Sequence, residues 1–162
     1  MGMICCLQPI AADEIDGLLA DPSTIHNLLE EGYDTGIDLD KSWHAIHFLL
    51  SGEAWEREEP ACYLVAGGEQ IGDEDVGYGP ARLLRPYDVK RLDAFLEEID
   101  SAELRRRYNP AAMVAAEIYP DIWDRAEEYE ENFQYVIEYY GILRQFVAAA
   151  AREGAGVVVS IM

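Results

Sequence analysis

Hydrophobic residues recur at helical spacing along most of this chain, and the densest such stretch covers residues 40–52. Within it, Trp43 and His47 share one face with further apolar residues, and the other faces are also largely apolar. Asp40 suits the N-cap position and Gly52 suits the left-handed position after a helix. The pattern therefore predicts a helix at 40–52 that is buried on more than one side.

Short apolar runs alternate with these helical patterns. They predict four strands, near residues 3–7, 61–66, 81–84 and 156–161. The first and last runs are both apolar, so both are placed inside the sheet. Strands separated by helices are typical of an α/β fold. We expect a single domain over residues 1–162, with a small mixed sheet covered by helices on its faces.

The longest helical pattern runs from about residue 121 to residue 152. Its first half is rich in glutamate, and Arg144 and Arg152 lie toward its end. Both placements favour the helix dipole. The pattern predicts one long C-terminal helix near 121–152.

Charge is the strongest global property of the chain. It has 32 acidic and 12 basic residues, which gives a formal net charge of −20. Such a chain repels phosphate backbones and anionic lipid, so neither nucleic acid nor a membrane surface is expected as a partner. The acidity is compatible with enhanced solubility, a salty cytoplasm or a basic partner.

The three cysteines indicate a reducing compartment. Their number is odd, and Cys5 and Cys6 are adjacent while Cys62 is far along the chain, which is no disulfide framework. Small buried thiols are typical of cytoplasmic proteins. No secretory signal and no apolar run long enough to span a membrane is visible, so a cytoplasmic location is expected.

His44 and His47 lie three residues apart and are therefore neighbours on the predicted helix. Zinc sites need three or four ligands, and the histidine pair lacks the glutamate of a His-Glu-x-x-His helix. We therefore predict no metal and no other cofactor. The simpler interpretation is a pair of partly buried histidines that hydrogen bond to backbone or carboxylate groups.

Four blocks of the sequence resemble a known family. They are residues 1–4 (MGMI), 39–52 (LDKSWHAIHFLLSG), 77–82 (GYGPAR) and 117–120 (EIYP). In this order, and over nearly the whole chain, they resemble the YfbM-like bacterial proteins, a domain of unknown function (1877). The resemblance implies an α/β fold with helices around a mixed sheet in a bacterial cytoplasmic protein. It implies no activity and supplies no functional residues.

Two functional hypotheses follow. The first is a non-catalytic interaction or regulatory module that binds a protein partner, because the chain is acidic and lacks a complete catalytic motif. The second is a small-molecule binder or enzyme whose pocket lies where helix 40–52 meets the glycine-rich loop 69–80. The candidate pocket residues are Trp43, His44, His47, Tyr78, Arg82, Glu117 and Tyr119.

In the second hypothesis each polar residue has a role. His44 or His47 would act as general base, because imidazole titrates near neutral pH. Glu117 would orient that histidine and Arg82 would hold an anionic group. Tyr78 or Tyr119 would donate a hydrogen bond. The two hypotheses differ in whether these residues converge in one concave site.

Overall fold

The centre of the fold is a five-stranded sheet in the computed structural model, which describes residues 2–162 without the side chain of Tyr33. The strands are β1 (Cys5–Ile10), β2 (Ile37–Asp38), β3 (Glu69–Gln70), β4 (Arg82–Leu84) and β5 (Gly156–Ile161). Their order is β2-β1-β5-β4-β3, and every neighbouring pair is antiparallel. The predicted α/β class is confirmed, but the sheet is antiparallel throughout rather than mixed.

Helices cover both faces of this sheet. They are α1 (Ile15–Ala20), α2 (Ile25–Glu31), α3 (Trp43–Ser51), α4 (Pro86–Glu97), α5 (Ser101–Arg107), α6 (Pro110–Ala115) and α7 (Tyr129–Arg152). Two of them have side-chain caps, since Asp100 accepts from the Glu103 N–H and Asn109 accepts from the Ala112 N–H. Within residues 2–162, no helix combines the length and the apolar content needed to cross a membrane.

The alternation of side chains along the strands divides the core in two. On β5, Val157 and Val159 face a large cluster that includes residues of α3, α4 and α7. Val158 faces the other way, into a smaller cluster with Ile10 of β1 and Leu83 of β4 beneath α1 and α2. The placement of the first and last strands inside the sheet is correct, because β1 and β5 pair along their full lengths.

The strand predicted at 61–66 is wrong, since this segment forms consecutive turns. The amides of Val65 and Ala66 both bond the Cys62 carbonyl at 2.8 Å. The Arg82 guanidinium donates hydrogen bonds to the carbonyls of Tyr63, Ala66 and Gly67. A short apolar run does not distinguish a buried strand from a buried turn. Here the carbonyls accept hydrogen bonds from Arg82 rather than from a neighbouring strand.

Three other predicted boundaries shift. The first strand covers Cys5–Ile10 rather than 3–7 and includes Pro9. Pro9 is tolerated because β2 pairs with only Cys6 and Leu7, so the edge beside Pro9 needs no N–H donor. The strand at 81–84 begins one residue later, at Arg82, and the strand at 156–161 is confirmed.

The long C-terminal helix begins at Tyr129 rather than near residue 121. Residues 121–128 form turns that end in a 3-10 turn at Ala126–Glu128. Trp123 is buried there, and its indole N–H donates to the Ile118 carbonyl at 2.9 Å. That bond holds the segment against the end of α6, so the helix starts only after it.

The helix predicted at 40–52 also begins later than its sequence pattern indicates. Residues Asp40–Ser42 form a 3-10 turn, and α3 begins at Trp43. Asp40 does not cap it, because its backbone has φ 48° and its carboxylate accepts a hydrogen bond from the Tyr135 hydroxyl at 2.6 Å. Gly52 ends the helix as predicted, with φ 84°.

Candidate functional site

The central helix α3 carries a group of buried aromatic rings. Trp43 is 1% exposed, His44 is 1% exposed and His47 is fully buried. The rings of Trp43 and His44 stack with centroids 5.1 Å apart, and those of His44 and His47 lie 6.3 Å apart. The indole N–H of Trp43 donates to the Met3 carbonyl at 2.9 Å, which ties α3 to the segment before β1.

Both ring nitrogens of His44 are bound to backbone groups. The Tyr119 N–H donates to Nδ1 at 2.9 Å, and Nε2 lies 2.8 Å from the Ala54 carbonyl oxygen. Nδ1 therefore acts as the acceptor and Nε2 carries the proton. Burial lowers the pKa of His44, which favours the neutral ring. His44 thus joins two distant loops and has no free nitrogen for proton transfer.

His47 is also held neutral. Burial, reinforced by the neighbouring His44, lowers the pKa of His47 to about 4. Its Nε2 lies 3.4 Å from the Ser51 hydroxyl oxygen one turn along the helix. At neutral pH, both histidines are uncharged rings within the packed interior.

Trp55 extends this ring group to the surface, and sequence reasoning missed it. It is 62% exposed, yet its indole lies 4.5 Å from the His44 ring and 6.4 Å from the Trp43 ring by centroids. The residue before it, Ala54, supplies the carbonyl that His44 holds. The available signal was a tryptophan within an acidic loop directly after α3, where exposed loops are usually polar.

Tyr119 and Glu117 lie beside the ring group. The Tyr119 ring is 5.8 Å from that of Trp43, and its hydroxyl accepts a hydrogen bond from the Met3 N–H at 2.9 Å. Glu117 is exposed and has φ 55°, a strained value for a residue with a side chain. Both border a cleft of about 410 Å³ that also contains Asp121.

The remaining two candidates are placed elsewhere. The Arg82 guanidinium donates to the carbonyls of the turn at 63–67, at distances from 2.5 to 3.1 Å, so it is committed to backbone rather than to an anion. Tyr78 is 59% exposed in the loop beside β5, where its N–H donates to the Ile161 carbonyl. The structure therefore groups Trp43, His44, His47 and Tyr119, with Glu117 at their edge.

The surroundings of the ring group are acidic. Glu56 follows Trp55, and its carboxylate accepts from the Arg57 and Glu58 backbone amides. Asp121 is exposed beside Tyr119 in the cleft. Within residues 2–162, no three side chains of the Asp, Glu, His or Cys type are grouped closely enough to hold a metal ion.

The fold and site define a small α/β protein with an antiparallel sheet and a buried, uncharged histidine pair beneath an exposed tryptophan. The family described as "Domain of unknown function (DUF1877)" matches residues 1–160, and the chain belongs to this family. The resemblance to YfbM-like proteins noted in the sequence is thereby confirmed.

Comparisons with individual proteins agree. The chain is 29% identical over 130 residues to "Protein YfbM" of Escherichia coli strain K12, which covers 75% of each chain. It is also similar to the solved structure titled "The Crystal Structure of a Protein of Unknown Function YfbM from Escherichia coli". That likeness has a TM-score of 0.79 at 24% identity and covers 98% of this chain and 99% of the other, which shows a shared fold.

Proposed function

We propose that this chain is a non-catalytic interaction module that binds a basic segment of a partner protein. The binding surface consists of Trp55, Glu56, Glu117, Tyr119 and Asp121, and is called the Trp55 surface below. The observation that carries the proposal is the indole of Trp55, which is 62% exposed and rests on the His44 ring. Tryptophan is enriched among the residues that dominate binding energy at interfaces.

The indole is held in place before any partner binds. His44 Nε2 bonds the Ala54 carbonyl, which fixes the backbone directly before Trp55. The His44 ring then supports one part of the indole at 4.5 Å. A preorganised aromatic side chain loses little conformational entropy on binding, so more of its contact energy contributes to affinity.

The chemistry of this surface favours a cation. The face of an indole attracts guanidinium and ammonium groups. The carboxylates of Glu117 and Asp121 lie on either side of Tyr119 in the sequence and are exposed. The net charge of −20 adds a long-range attraction for basic partners and repels nucleic acid. An arginine or lysine side chain of a protein partner satisfies all of these features.

The geometry gives less support to catalysis by the histidines. A general base must reach the proton that it abstracts. His44 is 1% exposed and both of its nitrogens are occupied, while His47 is fully buried with its pKa lowered to about 4. These two histidines are better suited to supporting the Trp55 surface than to reacting with a substrate.

The proposal is tested with peptides selected from a displayed random library against the full chain. We expect the selected sequences to be rich in arginine or lysine. Trp55→Ala should weaken their binding by about 30-fold, which corresponds to roughly 2 kcal/mol. Isothermal titration calorimetry would measure the dissociation constants.

Tyr87→Ala is the matched control. Tyr87 is 71% exposed in the first turn of α4, where its ring lies 5.8 Å from the Arg91 guanidinium carbon. Both substitutions remove one exposed aromatic ring and leave the net charge unchanged. If affinity depended on charge alone, the two variants would bind alike, and the Trp55 surface would be excluded as the site.

A second candidate is a small-molecule binder, and the cleft of about 410 Å³ beside Glu117 favours it. This volume lies within the roughly 300–1,000 Å³ typical of ligand sites. The cleft is lined by Glu117, Tyr119 and Asp121 rather than by the two histidines. A metabolite screen by thermal shift would test it, and loss of every stabilising compound in Glu117→Gln is the expected result.

A further inference from the structure

Two separate loops supply the Trp55 surface. The first loop, residues 53–58, follows α3 and carries Trp55 and Glu56. The second loop, residues 116–121, follows α6 and carries Glu117, Tyr119 and Asp121. Within residues 2–162, no hydrogen bond runs directly from one of these loops to the other. The surface is therefore complete only while something else holds the two loops side by side.

The ring of His44 connects the two loops. Its Nε2–H donates to the Ala54 carbonyl of the first loop at 2.8 Å, and its Nδ1 accepts from the Tyr119 N–H of the second loop at 2.9 Å. His44 is 1% exposed and belongs to α3, so both loops are attached to the same buried element.

This connection requires an uncharged ring. A neutral imidazole has one nitrogen that donates and one that accepts, which matches a carbonyl on one side and an N–H on the other. Protonation turns Nδ1 into a donor that faces the Tyr119 N–H, and two donors cannot bond each other. The bond from Nε2–H to the Ala54 carbonyl persists and is strengthened by the charge. Protonation of His44 therefore releases the second loop and keeps the first.

A charge on His44 also acts directly on the Trp55 indole. The two rings lie 4.5 Å apart by centroids. An imidazolium at this distance is attracted to the π electrons of the indole, which a cationic group of the partner would otherwise use. The imidazolium also repels that cationic group. Both effects act against the binding of a basic partner.

We propose that His44 is an acid-sensitive switch for the Trp55 surface, which binds its basic partner while this ring is neutral and releases the partner when the ring is protonated. The inference rests on the function proposed above. On protonation, the second loop leaves the surface with the carboxylates of Glu117 and Asp121, and a positive charge appears beneath the indole.

The pKa of His44 places this switch on the acidic side of neutrality. Burial lowers the pKa from its ordinary value of 6.5, and the bond to the Ala54 carbonyl offsets part of this effect. The charge of His44 is one of the causes that lower the pKa of His47, so His44 takes up its proton first. Affinity for a basic partner is therefore full at neutral pH and falls as the pH falls below about 6.5.

Other titratable groups lie on the elements around His44. They are His47 on α3, Lys41 in the turn before it, Glu56 in the first loop, and Glu117, Tyr119 and Asp121 in the second loop. None of their charges is among the causes that shift the pKa of His44. Protonation of the three carboxylates would also weaken the binding of a basic partner, so the experiments separate it from protonation of His44.

The first experiment needs no partner. It is an NMR titration of the wild-type chain from about pH 7.5 to about pH 4.5, in which the ring nitrogens of His44 report its protonation. Hydrogen exchange is followed at two neighbouring amides. The Tyr119 N–H bonds His44, whereas the Ile118 N–H bonds the Met113 carbonyl, which does not titrate, at 3.0 Å.

We expect the protection factor of the Tyr119 amide to fall at least about tenfold as His44 is protonated, and that of the Ile118 amide to stay within about twofold. Equal losses at both amides would mean that the whole loop opens for another reason, and the switch would be excluded. A His44 ring that stays neutral until the chain unfolds would exclude it as well.

The second experiment measures the affinity of a selected arginine-rich peptide without histidine at about pH 7.5 and about pH 5 by calorimetry. His44→Gln and His26→Gln form a matched pair, because each removes one titrating ring and keeps every carboxylate, and His26 is exposed beside Glu74. We expect wild type and His26→Gln to lose at least about tenfold in affinity at acidic pH, and His44→Gln less than about threefold. Equal losses in the three proteins would assign the effect to the carboxylates and overturn the proposal.

The two experiments also distinguish this inference from the proposed function. If no peptide binds at either pH while the Tyr119 amide responds as expected, the proposed function fails and the release of the second loop by protonation of His44 is still supported. If a peptide does bind, it should lower the pKa of His44 in the NMR titration, because the coupling between proton and peptide is reciprocal. An unchanged His44 pKa in the complex would contradict the switch.

Discussion

The two histidines of α3 differ from the surface histidine in how they are bonded. The exposed ring of His26 lies against Glu74, with its Nε2 3.2 Å from a carboxylate oxygen. His44 instead bonds the Tyr119 N–H and the Ala54 carbonyl, both of which are parts of loops. Removal of the His44 ring therefore leaves two backbone groups without hydrogen-bond partners. Removal of the His26 ring leaves no buried polar group without a partner.

His44→Leu is expected to lower the free energy of unfolding by roughly 3 kcal/mol, because each unpaired buried group costs about 1–3 kcal/mol. His26→Leu should change it by less than about 0.5 kcal/mol, as is usual for exposed sites. Urea unfolding would measure both values. Similar values for the two variants would show that the His44 bonds do not secure the loops.

His47 makes stability depend on pH. The unfolded chain protonates this residue near its ordinary pKa of 6.5, whereas the folded chain resists protonation down to about pH 4. The stability that comes from the neutral ring is complete above about pH 6.5 and is lost as the pH falls toward 4, by roughly 3 kcal/mol. Urea unfolding across this range would show the loss.

His47→Gln separates this effect from the titration of carboxylates, because glutamine does not titrate and the carboxylates are common to both proteins. The variant is expected to have a weaker pH dependence than wild type between about pH 6.5 and pH 4. If the free energy of unfolding of the two proteins changed in parallel with pH, a buried, neutral His47 would be contradicted.

At the scale of elements, Arg82 links β4 to the turns at 61–66. Its guanidinium donates to three carbonyls, and burial lowers its pKa. A planar fork of donors suits several carbonyls at once. A lysine at this position would carry the same charge but would lack the planar set of N–H donors.

Arg82→Met is expected to destabilise the fold by about 3 kcal/mol, since it orphans carbonyls in a partly buried turn. The backbone amides of Val65 and Ala66 should exchange faster with solvent, because the turn loosens. Arg85→Met is the control, as Arg85 pairs with Glu69 at the surface. Unchanged exchange at these two amides in Arg82→Met would contradict the role of Arg82.

Sequence patterns predicted the elements that have strong periodicity and missed those that depend on tertiary contacts. The strand at 156–161 is an apolar run with a glycine start, and it is correct to the residue. β2 and β3 have two residues each, too few for any period to appear. The turns at 61–66 depend on Arg82, which is close only after folding.

In the candidate site, only the neighbours within one helix could be predicted from the sequence. Helical spacing brought Trp43, His44 and His47 together correctly, because neighbours on one helix are visible in the sequence. The hydrogen bond between His44 and Tyr119 joins residues 75 positions apart, and a contact of this kind is not visible in the sequence. Trp55 was passed over because its charged neighbours are typical of a loop, and its indole meets His44 only in the folded chain.

At the scale of the whole molecule, acidic residues exceed basic ones by 20, which makes repulsion between carboxylates a general cost of folding. Raising the sodium chloride concentration from about 0.05 to 0.5 M shortens the Debye length to a few ångströms. The free energy of unfolding should therefore rise with salt, as urea unfolding would show. A fall would mean that local ion pairs outweigh the repulsion.

The two sides of the sheet carry different chemistry. On the side of α3, buried rings support an exposed indole among carboxylates. On the side of α1 and α2, the β1 face changes from apolar at Ile10 to polar at Gln8 and Cys6. The Trp55 surface favours cations, which agrees with the sign of the net charge.

The most direct test of the proposed function is to map a selected basic peptide on the uniformly labelled full chain by NMR. We expect the largest shifts at the Trp55 indole N–H and at the backbone amides of Glu56, Glu117 and Tyr119. Only small changes are expected at Tyr87 on α4. Shifts centred elsewhere, or spread evenly over the acidic surface, would contradict binding at the Trp55 surface.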